Sequence, residues 1–112
     1  MGTKRRRIRV TEGSGNVFAD VEIERPEEYL AKAELTRQIV GALDARRVTQ
    51  TEAARILGVS QPKVSALRNG RLDGFSTERL IRFLNTLGRD VRIVVSEKPR
   101  SRGRARLTVR AA

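Results

Sequence analysis

The sequence predicts a mainly α fold of four to five helices, followed by a C-terminal β-strand and framed by flexible basic termini. Three observations predict it. Leu35, Ile39 and Leu43 recur at helical spacing. Candidate N-caps at Thr49, Ser60 and Ser76 alternate with candidate stops at Gly58, Gly70 and Gly88. After Gly88 the period switches to two in "RDVRIVVS".

Residues 1–25 are expected to form a flexible N-terminal arm that serves as a partner-binding segment. They lack helical periodicity and contain the cluster "EGSGN". "RIRVT" and "NVFADVEIE" alternate apolar with polar residues, which leaves short strands open. A first helix starts near Pro26, where proline is tolerated and Glu27 and Glu28 complement the helix dipole. Its buried stripe is Leu35, Ile39 and Leu43, and Arg46 and Arg47 suit its C-terminal end. A second helix runs from about Gln50 to Leu57, capped by Thr49, with Ala53, Ala54 and Leu57 facing inward. Gly58 ends it with a positive φ. Ser60 caps a third helix, Gln61 to Asn69, which Gly70 closes. Ser76 caps a fourth, in which Phe75 and Leu80 make a hydrophobic staple and Leu80, Leu84 and Leu87 face inward.

In the strand that follows, Val91, Ile93 and Val95 point one way and Arg92, Val94 and Ser96 the other. A single strand has two unpaired edges, so it needs a partner. The same strand of a second copy is the simplest one, which makes a homodimer the expected state. Pairing with "RLTV" or with the N-terminal arm is the other arrangement. Residues 26–96 thus form one domain, and residues 97–112 a basic C-terminal tail.

The 112 residues carry a net charge of +11 with no His and no Cys. This excludes imidazole acid–base chemistry, thiolate nucleophiles, disulfides and the usual zinc sites, so neither an enzyme nor a metal or cofactor is expected. No apolar run approaches the roughly 20 residues that span a bilayer, and "MGTKRRRIRV" leads into no signal-peptide core. The expected location is cytoplasmic. The charge is uneven. Met1–Asp20 holds five basic and two acidic residues, and Glu97–Ala112 six basic and one acidic. Ala53–Leu72 contains Arg55, Lys63, Arg68 and Arg71 and no acid. Such a surplus favours a polyanionic partner.

Two short helices joined by a glycine turn form a helix-turn-helix unit. At about 100° per residue, Val64 and Leu67 define the buried direction of the third helix. Pro62, Ser65 and Asn69 lie opposite, with Gln61 and Ala66 beside them, and Lys63 and Arg68 flank the buried stripe. A small polar face with flanking cations suits a DNA major groove. Gln61 sits at the end that points into the groove, and its amide matches adenine N6 and N7. Pro62 and Ala66 offer apolar contact to a thymine methyl. Gln50, beside free helix N–H groups, suits a phosphate, and the two glutamines are placed to brace each other.

"TQTEAARILGVSQPKVSALRNG" resembles the helix-turn-helix of lambda-repressor/Cro-like (Xre-type) regulators, in which a Gln opens each of the two helices. The longer frame from Gly15 to Val95, with "GRLDGFSTERL" and "LGRDV", resembles HigA-type antitoxins. The resemblance implies a lambda-repressor-like fold and two functions: binding a RelE/HigB-like mRNA-cleaving toxin, and repression of its own operon as a dimer on double-stranded operator DNA. It matches Gln50, Gln61, Lys63, Ser65, Arg68 and Asn69 to DNA-facing positions. With Thr49, Ser60, Pro62 and Arg71 they make up the candidate DNA-binding set. It also points to "NVFADVEIERPEEYL" for the toxin, with Val17, Phe18, Val21, Ile23 and Tyr29 as apolar anchors and Glu22, Glu24, Glu27 and Glu28 facing a basic nuclease. Phe18 and Tyr29 have an equally good reading as cover for the domain's own core.

A stand-alone helix-turn-helix repressor without a toxin is the alternative; it has no need of "NVFADVEI". An RNA-binding protein using its basic arms is a third reading, disfavoured by one Tyr, three Phe and no Trp for base stacking.

Overall fold

The structure, a computed structural model, describes residues 26–112. Four helices follow one another: α1 (Pro26–Arg46), α2 (Gln50–Leu57), α3 (Gln61–Arg68) and α4 (Thr77–Thr86). The helices start where caps start them. Thr49 makes a full capping box: its hydroxyl accepts from the Glu52 N–H at 3.1 Å, and the Glu52 carboxylate accepts from the Thr49 N–H at 2.8 Å. The Ser76 hydroxyl accepts from the Arg79 N–H at 3.1 Å.

Ser60 departs from expectation. Its backbone takes the extended N-cap conformation, but its side chain makes no capping bond. Pro62 at the second helical position has no N–H to offer, and the Lys63 N–H already donates to the Ser60 carbonyl at 3.0 Å.

Gly58 ends α2 at φ 72°, a left-handed conformation that costs a side-chain-bearing residue about 1–2 kcal/mol. The Val59 N–H donates to the Ala54 carbonyl and the Gly58 N–H to the Arg55 carbonyl, a Schellman closure. The same bond pattern closes α3 at Gly70 and α4 at Gly88.

α1 packs chiefly against α4, and α2 against α3. The core between them holds the expected Leu35, Ile39, Leu43, Ala53, Ala54, Leu57, Val64, Leu67, Leu80, Leu84 and Leu87. Ala42, Leu72, Phe75 and Phe83 complete it. Thr36 is the one buried polar side chain among the described residues, and its hydroxyl finds no hydrogen-bond partner there.

The expected C-terminal β-strand is not formed; no strand occurs among the described residues. The period-two pattern of Asp90–Ser96 finds no ladder among the described residues, and without a ladder an extended segment is not a strand. Nor do its apolar residues share a covered face. Val91 packs against the core, whereas Ile93, Val94 and Val95 are 74%, 76% and 90% exposed.

The basic tail turns at Pro99–Arg102 and returns to α1, where the Leu107 N–H donates to the Glu27 carboxylate at 3.0 Å and Val109 packs against the core.

Candidate nucleic-acid interface

The turn at Gly58 and the burial of Val64 and Leu67 fix how α3 is presented. With those two side chains in the core, Gln61, Pro62 and Asn69 are exposed and Ser65 is half-buried. The Asn69 side-chain amide donates to the Ser65 hydroxyl at 3.3 Å, joining these two residues along the outer face. Ala66, one turn on from Pro62, is half-buried and also touches the core.

Gln61 is held, but not by Gln50. Its amide nitrogen donates to the Thr51 hydroxyl at 2.9 Å. Successive helix residues point about 100° apart, so when Thr51 faces the start of α3, Gln50 turns away from it. Gln50 remains exposed beside the first N–H groups of α2. One amide hydrogen and the amide oxygen of Gln61 stay available, the pair needed to match adenine N7 and N6. The Thr49 hydroxyl accepts in the capping box and keeps its own O–H to donate.

The cations are more tied than the sequence suggests. The Arg68 guanidinium meets the Asp44 carboxylate at 3.1 Å, joining the ends of α3 and α1. The Lys63 ammonium lies 5.0 Å from the centre of the Phe75 ring, and Arg79 sits 5.6 Å from both Phe75 and Phe83. Phe75 and Phe83 meet edge to face at 6.1 Å. Arg71 is exposed just beyond α3. Sequence reasoning missed Thr51, Asp44, Phe75 and Arg79 as supports. The "TQTE" run contained a signal for Thr51, because its second Thr has a hydroxyl one helical step from Gln50. Asp44, 24 residues before Arg68, gave none.

Of the candidate partner-binding residues, Val17, Phe18, Val21 and Ile23 lie outside the described residues. Tyr29 is described: it is 43% exposed, and its hydroxyl donates to the Gly70 carbonyl at 3.3 Å. Among the described residues no cluster of His, Cys, Asp and Glu could hold a metal, and no helix is long and apolar enough to cross a membrane.

A family model described as a helix-turn-helix domain matches residues 17–96. A solved structure described as an XRE-family transcriptional regulator is 51% identical, with a TM-score of 0.71; the match covers 77% of this chain and 97% of that one. A comparison with curated proteins found no match.

Proposed function

The chain belongs to the helix-turn-helix domain family, and from that premise we propose that it is a sequence-specific DNA-binding transcriptional regulator that reads a major groove with α3. The observation that carries this is the exposed end of α3, where Gln61 is held by Thr51 in an acid-free window, on a helix locked by Val64 and Leu67. In this reading Gln61 reads adenine, and Pro62 offers apolar contact. Ser65 and Asn69 extend the base-facing surface. Thr49, Gln50, Ser60 and Arg71 line the phosphates, together with Lys63 and Arg68 once they swing from Phe75 and Asp44. Hydroxyl-radical footprinting on duplex DNA from upstream of its own gene tests this. Protection of two half-sites about one helical turn apart is expected of a dimer; uniform, unlocalised protection rejects sequence reading.

The finer proposal is a type II antitoxin that represses its own operon and neutralises a RelE/HigB-like mRNA-cleaving toxin. Two features support it: the resemblance of Gly15–Val95 to HigA-type antitoxins, and the exposure of Tyr29 and Leu30 where the proposed toxin segment enters α1. A plain repressor without a toxin is equally consistent with the fold and with the DNA face. Whether a small basic reading frame lies next to this gene, and what co-expression with it does, separates the two. Relief of growth arrest, lost when Val17, Phe18, Val21 and Ile23 are changed to Ser, supports the antitoxin; an adjacent frame that is harmless alone supports the plain repressor.

The homodimer belongs to the same proposal. The backbone of Val91–Val95, which pairs with no described residue, and the exposed Ile93 and Val95 suit pairing with a second copy. Sedimentation equilibrium of the Ile93→Lys variant checks it, with a shift from dimer to monomer expected. The reading places the protein in the cytoplasm with its operator.

A further inference from the structure

Five of the nine residues Lys98–Arg106 are basic and none is acidic. The sequence alone suggests a loose tail, but the structure ties this segment at both ends. Upstream, Val91 packs against the core. Downstream, Val109 packs against the core, the Leu107 N–H donates to Glu27, and the Arg104 guanidinium pairs with the same carboxylate. Between the anchors the segment bends back on itself. The Arg102 N–H donates to the Pro99 carbonyl at 3.1 Å and the Lys98 ammonium to the Arg102 carbonyl at 2.9 Å. It is therefore a closed basic loop on the body of the domain, with Arg100 and Arg106 exposed and Arg102 half-buried.

Its position is informative. Glu27, which holds the loop, lies in the same first turn of α1 as Tyr29, and the Tyr29 hydroxyl donates to the carbonyl of Gly70, just past α3. Residues two apart on a helix point about 200° apart, so Glu27 and Tyr29 lead to opposite sides of this one turn, the loop on one side and the residue just past α3 on the other.

We propose that Lys98–Arg106 is a second DNA contact, a closed basic loop that grips duplex phosphates beyond those reached from α3. The proposal rests on the DNA-reading role of α3. Arg100, Arg102 and Arg106 supply planar guanidinium donors suited to phosphate, and the small Ser101, Gly103 and Ala105 between them let the backbone come close. Apart from Pro99 and Ala105 the loop has no apolar side chain, so it lacks the buried anchors of a protein interface. It has no aromatic ring on which single-stranded RNA could stack. Because its ends are fixed, less freedom is lost on binding than for a free tail. Phosphate contacts carry no sequence information, so the loop adds affinity and salt sensitivity without changing preference.

The test uses the full chain with R100Q, R102Q and R106Q together, titrated by anisotropy on the upstream duplex and on an unrelated duplex. At about 0.9 ions per phosphate contact, three lost contacts flatten the salt slope by about 2.7 units. Between 50 and 200 mM salt the native chain should then lose about 40-fold more affinity than the variant. The ratio between the two duplexes should not change, and three Arg→Lys changes at the same positions should keep the slope. Equal slopes for the native and Gln chains overturn the proposal, including the case in which the Gln chain instead loses binding to anionic vesicles. If the native chain shows no preference between duplexes, the α3 reading fails, while the slope difference still decides the loop.

Discussion

Replacing Thr51 with Val removes the hydroxyl that holds Gln61 at 2.9 Å and keeps the side chain's shape. Both residues are exposed, so the loss in folding stability is small and thermal melting should be nearly unchanged. The loss in recognition is larger, because an untethered amide must be ordered when it meets the base. One hydrogen bond contributes about 0.5–1.5 kcal/mol, so T51V should weaken cognate binding about 2- to 13-fold. Q61A removes the reading group itself and should cost roughly 1–3 kcal/mol on the cognate site while sparing unrelated DNA. If Thr51 acts only through Gln61, the double variant T51V/Q61A binds no worse than Q61A alone. Anisotropy titrations of the four proteins at one salt concentration close the cycle. A double variant whose loss equals the sum of the two single losses refutes the positioning role.

Asp44→Asn frees Arg68 and removes a nearby negative charge, so binding to both cognate and unrelated DNA should tighten, with a stability change within about 1 kcal/mol for so exposed a pair, read by denaturant melts. Arg68→Ala should weaken both about equally and flatten the salt slope by about one unit; a loss confined to one base position would contradict a phosphate role. Gly58→Ala forces a side chain into φ 72° and should destabilise the fold by about 1–2 kcal/mol in urea denaturation, although space for the methyl group is open. Thr36→Val removes a buried hydroxyl that has no partner among the described residues and should raise stability by about 1–3 kcal/mol; a lower melting temperature would show that the hydroxyl is satisfied.

The helices were legible because their signals are local. Thr49 and Ser76 each cap a helix within three residues of themselves, and Gly58, Gly70 and Gly88 each close one. The buried stripes of α1 and α4 followed from spacing alone. Contacts between residues far apart in the chain were not legible. Arg68 read as a free cation until the fold brought Asp44 to it from 24 residues away. Lys63 looked like a phosphate ligand until the loop before α4 placed Phe75 beneath it. The return of the tail to Glu27 spans 77 residues and left no trace in either local pattern. Asp90–Ser96 shows the opposite failure, because a period of two records what a segment can pair with, and none of the other described residues supplies the pair. On the recognition face, the position of Gln61 was legible from its place at the start of a helix, but its tether was not. Which of two adjacent side chains faces α3 depends on the rotation of α2, and the core residues Ala53 and Leu57 set that rotation.

In the proposed function Gln61, presented on α3, reads a base in duplex DNA. The most direct measurement is fluorescence anisotropy of the native chain and Q61A on a labelled duplex from upstream of its own gene and on an unrelated duplex of equal length, at about 50 and about 200 mM salt. The expected result is a native preference for the upstream duplex that survives the higher salt and falls in Q61A, with unrelated-DNA binding unchanged. Equal, salt-sensitive binding of the native chain to both duplexes, or equal losses on both in Q61A, would contradict it.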